Sequence, residues 1–158
     1  MYHFYIKERM FSFKDHFQVF NEDGKEVYKV EGSFFSFGDE LKLTDLDGRT
    51  VVTIDQKLMS LVPRYEISVS GKPVCEVRKK ITFFKPKFEI SHLGWEITGD
   101  LWGQDFQITD GTADRMTVNK KWLSWGDSYH LQITDEEDIL LCLAIAIVID
   151  MVLFEDEH

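Results

Sequence analysis

Eleven consecutive apolar residues, Ile139 to Ile149, stand between two runs of carboxylates, and this stretch limits the fold more than any other in the 158-residue chain. As a helix the run spans about 16 Å at 1.5 Å per residue, whereas a bilayer core is about 30 Å thick. Extension to Phe154 reaches about 24 Å but takes in Asp150, at a membrane-centre cost of roughly 2.5–3.5 kcal/mol. Both flanks, "DEED" and "EDEH", are acidic, where a tail anchor carries Lys or Arg on its cytoplasmic side. Nor does the stretch suit a membrane surface, because Leu140, Leu141, Leu143, Ile145, Ile147, Val148 and Ile149 cover every side of a helix and leave no polar face. A helix apolar all round belongs in a core. The reading predicts a buried helix over about 136–154. Thr134 and Glu137 have capping-box spacing at its start, with the neighbouring carboxylates against the positive end of the helix. Asp150 is expected near a mouth of the fold, with water or a cationic partner, because an unpaired buried carboxylate is costly.

Such a helix needs a wall on all sides, and the preceding sequence supplies strands. Three units beginning near Met10, Phe34 and Leu58 each place a serine between bulky apolar residues (Ser12, Ser36, Ser60, spaced by 24), then an alternating stretch, a Gly turn (Gly24, Gly48, Gly71) and a second strand. A fourth copy puts Phe83 at the serine position, and a fifth restores it at Ser124. Period-two alternation in "FQVF", "LKLTDL", "VVTID" and "YEISVS" argues strands, and "EDGK" and "DLDGR" argue hairpin turns. "DLDG" is not a calcium loop, since Asp47 abuts Gly48 where an EF-hand spaces its acidic ligands before a glycine at the sixth position. Residues 2–133 thus read as an antiparallel meander of about twelve strands. Eight strands enclose little more than side chains, so about twelve leave room for a helix about 10 Å across. The predicted fold is mainly β: one domain over 1–158, a closed antiparallel β-barrel around a central hydrophobic C-terminal helix, with Ala144 and Ala146 letting strands approach.

Composition narrows the function classes. A net charge of −10 argues against nucleic-acid binding, which needs many Lys and Arg on phosphates. The two cysteines, Cys75 and Cys142, form neither a disulfide framework nor a metal knuckle, and Cys75 reads as a small buried hydrophobe. The N-terminal "MYHFYIKERMFSF" lacks the apolar core of an export signal, so a cytoplasmic protein, peripheral to the membrane if it meets lipid, is expected.

The elements "FSFGD", "DLDG", "QKLMS" and "KKWLSWGDSYHLQI", closed by an acidic cap and a hydrophobic helix, resemble the LURP-one-related family of the tubby C-terminal-like superfamily, to which phospholipid scramblases are similar. The resemblance covers essentially the whole chain and implies a twelve-stranded barrel around a hydrophobic helix. Tubby domains bind phosphoinositide headgroups. The proline-rich arm and cysteine-rich acylation site of scramblases are absent here.

Charge distribution supplies an independent clue. Residues 56–90 carry eight basic residues (Lys57, Arg64, Lys72, Arg78, Lys79, Lys80, Lys85, Lys87) against Glu66, Glu76 and Glu89, a net of +5 in a chain whose remainder nets −15. Within it "RKKITFFKPK" interleaves cations with Phe83 and Phe84. Two readings stand: solvated hairpin ends with the Phe rings inward, or lysines set to meet lipid phosphates while the rings enter the interface. On the second, headgroup contacts fall to Arg64, Lys79, Lys80, Lys85 and Lys87. No GxSxG elbow, phosphate loop or HExxH helix occurs, and His3, His16, His92, His130 and His158 are scattered singly, so no enzyme, metal or cofactor is expected. Trp95, Trp102, Trp122 and Trp125 suit either a ligand groove or the core. The functional expectation is a non-catalytic module that binds anionic headgroups; the alternative is a soluble scaffold whose partner is another protein.

Overall fold

The computed structural model describes residues 1–8, 15–35, 38–57, 61–123 and 126–154. Twelve antiparallel strands run in chain order: β1 (Tyr2–Glu8), β2 (Asp15–Asn21), β3 (Glu26–Phe35), β4 (Gly38–Thr44), β5 (Thr50–Gln56), β6 (Arg64–Val69), β7 (Lys72–Lys80), β8 (Lys87–Ile90), β9 (Glu96–Asp100), β10 (Asp105–Thr109), β11 (Asp114–Leu123) and β12 (Gly126–Ile133). They form one sheet in the order β8-β7-β6-β5-β4-β3-β2-β1-β12-β11-β10-β9. Chain neighbours pair as hairpins at every step but one. β1 takes β12 as its second partner, with Tyr2 opposite Ile133, and β8 and β9 lie against each other without a ladder. The barrel is therefore nearly closed, with a seam between β8 and β9.

Alternation decides what faces inward. Phe17 and Val19, Leu41 and Leu43, Val52 and Ile54, Tyr65 and Ile67, Cys75 and Val77, Phe106 and Ile108, and Met116 and Val118 are all buried, while the residues between them turn outward. Gly24, Gly48 and Gly71 take positive φ (77°, 80° and 81°) in the turns after β2, β4 and β6, as the hairpin chemistry requires. In the second of these, Asp45 Oδ1 accepts from the N–H groups of Asp47 and Arg49 at 2.9 Å each, so that carboxylate closes the turn itself. The serines of the repeat, Ser12, Ser36, Ser60 and Ser124, lie outside the described residues.

The helix α1 (Ile139–Phe154) follows a 3-10 turn, Glu136–Asp138, and fills the barrel, with Leu143, Ile145, Ile147 and Val148 almost wholly buried. No helix among the described residues is long and apolar enough to cross a membrane. The expected capping box does not form. The Thr134 hydroxyl donates to the Asp114 carbonyl at 2.7 Å instead, and Asp135 occupies the cap position without its side chain capping the turn. Arg115 gathers other carboxylates at this end of the helix: its guanidinium bonds Asp135 at 2.8 Å, Asp138 at 3.1 Å and Asp110 at 2.9 Å, and lies 5.8 Å over the Trp95 ring. Asp110 is held well below the usual carboxylate range, by the Thr112 hydroxyl and backbone first and then by Thr112's neighbour Ala113 and Arg115. This clamp ties the β10–β11 turn to the root of the helix.

Asp150 is buried rather than exposed to water, and a hydroxyl is among its partners. Tyr129, pointing inward from β12, donates its hydroxyl to the carboxylate and accepts from Gln104 Nε2 at 2.8 Å. Together the three residues line a small hollow with Leu101, Phe106, Val118, Ala146 and Ile149. The hydroxyl serves Oδ1 of the carboxylate, and a buried polar group of this kind is costly unless it is hydrogen-bonded.

Candidate functional site

Strand pairing sorts the basic segment into committed and uncommitted cations. Each of its three carboxylates takes one partner on the outer wall: Lys57 meets Glu66 at 3.4 Å, Arg64 meets Glu76 at 2.6 Å, and Arg78 meets Glu89 at 2.6 Å. Glu89 consequently lies below its ordinary pKa, through the Arg78 hydrogen bond and charge and, to a smaller extent, the charge of Lys80. Lys72 sits at the start of β7. The remaining Lys79, Lys80, Lys85 and Lys87 have no carboxylate within ion-pair distance among the described residues. All four gather at the opposite end of that strand, around the β7–β8 connection.

Register and ion pairing together set this group apart: Arg64 opposes Arg78 across the β6–β7 ladder, but both guanidiniums are paired with glutamates. Arg78 opposes Glu89 across the β7–β8 ladder, an attractive pair, but two residues further Lys80 opposes Lys87. Like charges directly across a ladder repel. Between them the chain turns through 81–86, where Thr82 Oγ1 donates to the Lys85 carbonyl at 2.5 Å. Ile81, Phe83 and Phe84 project from this turn at 78%, 96% and 95% exposure. The reading with the rings inward is therefore not what the fold adopts, because the inward positions of β7 and β8 are already taken by Val77, Phe88 and Ile90. Of the five residues picked out from the sequence, the structure brings Lys79, Lys80, Lys85 and Lys87 together. Arg64 stands beside them, since the Lys79 N–H donates to the Pro63 carbonyl at 3.0 Å, with its guanidinium on Glu76.

The wall next to this site carries the opposite charge. Glu40, Asp55, Glu66 and Glu76 follow one another in register across β4, β5, β6 and β7. Burial, and then the Glu40 carboxyl through a hydrogen bond and its charge, raise the Asp55 pKa above its ordinary value. The folded chain thus holds a proton on Asp55 more readily than the unfolded chain, and stability from this group declines as pH rises through the raised value. Asp55→Asn is expected to raise the thermal midpoint at about pH 7, by up to about 1 kcal/mol in stability, and to change little below about pH 3, where Asp55 is largely protonated in both states. Melting curves across that range check it, and a variant less stable at neutral pH contradicts the acidic row as a source of repulsion.

Residues 2–150 of the chain match the LURP-one-related family. The chain belongs to that family. With this LURP-one-related chain the uncharacterised protein YxjI of Bacillus subtilis (strain 168) shares 64% identity over 157 residues, which covers 99% of this chain and 97% of YxjI. A crystal structure of an Arabidopsis thaliana protein shares the fold with a TM-score of 0.64 at 15% identity, over 95% of this chain and 90% of the other. The tubby-like barrel implied by the resemblance is the fold observed.

Elsewhere in this LURP-one-related barrel the chemistry-bearing side chains serve the core or the wall. Burial pushes the Cys75 thiol up to about 12 and that of Cys142 higher still, which leaves both protonated and unreactive at neutral pH. His3 and His130 meet on the outer wall, Nδ1 to Nε2 at 2.9 Å, with Tyr5 stacked on His130; burial, then the charges of His3 and Lys121, lower the His130 pKa. Trp95 is buried under Arg115 while Trp102 is half exposed. The side chains of His16 and Trp122, and all of Trp125 and His158, lie outside the described residues. Among the described residues no group of three or more His, Cys, Asp or Glu is placed to hold a metal.

Proposed function

We propose that the chain is a non-catalytic module that recognises anionic phospholipid headgroups, phosphoinositides included, at a membrane surface through Lys79, Lys80, Lys85 and Lys87. The observation that carries this reading is the Lys80–Lys87 pair. Arg64 and Arg78 also face each other across a ladder, but each is neutralised by a glutamate, Glu76 and Glu89, whereas Lys80 and Lys87 face each other with no carboxylate within ion-pair distance among the described residues, beside an exposed pair of Phe rings. A phosphate between them removes the repulsion and supplies charge-assisted bonds. The likeness to tubby domains points the same way.

Overall charge opposes binding, but distance separates the effects. The Debye length is about 8 Å at physiological salt, so carboxylates on the far wall are screened while contacting lysines are not. Each Lys near an anionic leaflet contributes about 1 kcal/mol, so four give about 4 kcal/mol, close to a thousandfold in affinity. Reversal of all four lysines to Glu is expected to abolish sedimentation with phosphoinositide liposomes and to leave the thermal midpoint nearly unchanged, because exposed charges contribute little to stability. Wild type should sediment best at low salt. If it never sediments, or the reversed variant sediments equally well, the lipid reading fails and a protein partner takes its place.

A further inference from the structure

We infer that this end of the barrel enters the bilayer interface, with Leu61, Ile81, Phe83, Phe84 and Trp102 as an apolar tip set among the lysines; the inference rests on the lipid reading above and adds the acyl boundary to it. Eight large apolar side chains are exposed among the described residues, and they are not spread at random. Met1, Tyr2 and Leu46 lie at one end of the barrel, the end of the β4–β5 turn. The other five belong to the β5–β6, β7–β8 and β9–β10 connections, which an antiparallel meander delivers to the opposite end.

Those three connections are adjacent. The bond from the Lys79 N–H to the Pro63 carbonyl joins the first to the second. The third follows across the seam, since β8 and β9 lie side by side. Leu61 is 98% exposed and Trp102 is 53% exposed. Trp102 is presented by a turn that is already built: Leu101 is buried beneath it, Asp100 Oδ1 accepts from the Gly103 N–H at 3.0 Å, and Gln104 reaches back to Tyr129. Docking then demands little ordering of the turn, so little entropy opposes it.

The occupant follows from shape and charge together. Convex loops carrying two Phe, one Trp and two aliphatic residues suit a medium that yields to them, and aromatic rings settle at the boundary between headgroups and acyl chains. Lys80, Lys85 and Lys87, in and beside the middle of these three connections, stand where headgroup phosphates would be. An apolar tip amid uncommitted cations is complementary to an anionic leaflet.

The test uses the full chain with vesicles of equimolar phosphatidylserine and phosphatidylcholine. Phe83→Ser with Phe84→Ser is expected to weaken sedimentation at least about tenfold while the thermal midpoint stays put, because neither ring is packed in the fold. Trp102 emission, taken as the difference between wild type and Trp102→Phe, is expected to be quenched by phosphatidylcholine brominated on its acyl chains. Sedimentation undiminished in the double variant, with Trp102 unquenched, overturns insertion and leaves headgroup binding intact. Absence of wild-type sedimentation at low salt overturns both.

Discussion

Removal of residues 136–158 is expected to leave a chain that precipitates or persists only as an expanded, non-cooperative state. The helix contributes eleven of the buried apolar side chains, from Leu141 to Leu153, and they are what β5, β6, β11 and β12 pack against. Without them twelve strands face a void about 10 Å wide, and interiors do not keep such voids: the sheet either collapses with loss of register or draws in another chain. Loss of near-ultraviolet dichroism, dye binding and a featureless melt are the expected signs. A soluble truncation that unfolds cooperatively contradicts the helix as the core.

A single large-to-small change in that core should also register. Ile145 is fully buried midway along α1, so Ile145→Ala removes apolar contact and leaves a cavity the surrounding wall closes only in part. The expected loss is about 2–5 kcal/mol, a large share of the roughly 5–15 kcal/mol that holds a domain together. At about 2–4 °C per kcal/mol for a chain of this size, the thermal midpoint falls by roughly 4–20 °C. Denaturant midpoints measured beside Lys79→Glu, expected near wild type, separate the core effect from a general sensitivity to substitution. A loss well under 1 kcal/mol would show that α1 is loosely held.

Architecture was legible in the sequence because it rests on local signals. The eleven-residue apolar run between carboxylates, too short to span and polar on no side, required a wall; period-two alternation and the turns at Gly24, Gly48 and Gly71 supplied twelve strands from Tyr2 to Ile133. Side-chain partnerships were not legible, because they depend on which strand lies beside which. Thr134 and Glu137 have the spacing of a capping box, yet Arg115, some twenty residues earlier, takes the neighbouring carboxylates and Thr134 turns to Asp114. Asp150 meets Tyr129 through the placement of β12 against α1, which no local pattern contains. The same holds for the candidate site. Charge counting found residues 56–90, but only the folded wall shows Arg64 and Arg78 neutralised on Glu76 and Glu89 and Lys80 facing Lys87. Leu61 and Trp102, members of two turns distant in sequence, join Phe83 and Phe84 because an antiparallel meander sends alternate turns to one end of the barrel. Sequence alone determined that a helix must be enclosed and by what kind of wall, since periodicity and burial act over a few residues. Tertiary structure decided which charges are spent and which apolar side chains share a tip, since those depend on distances between residues far apart in the chain.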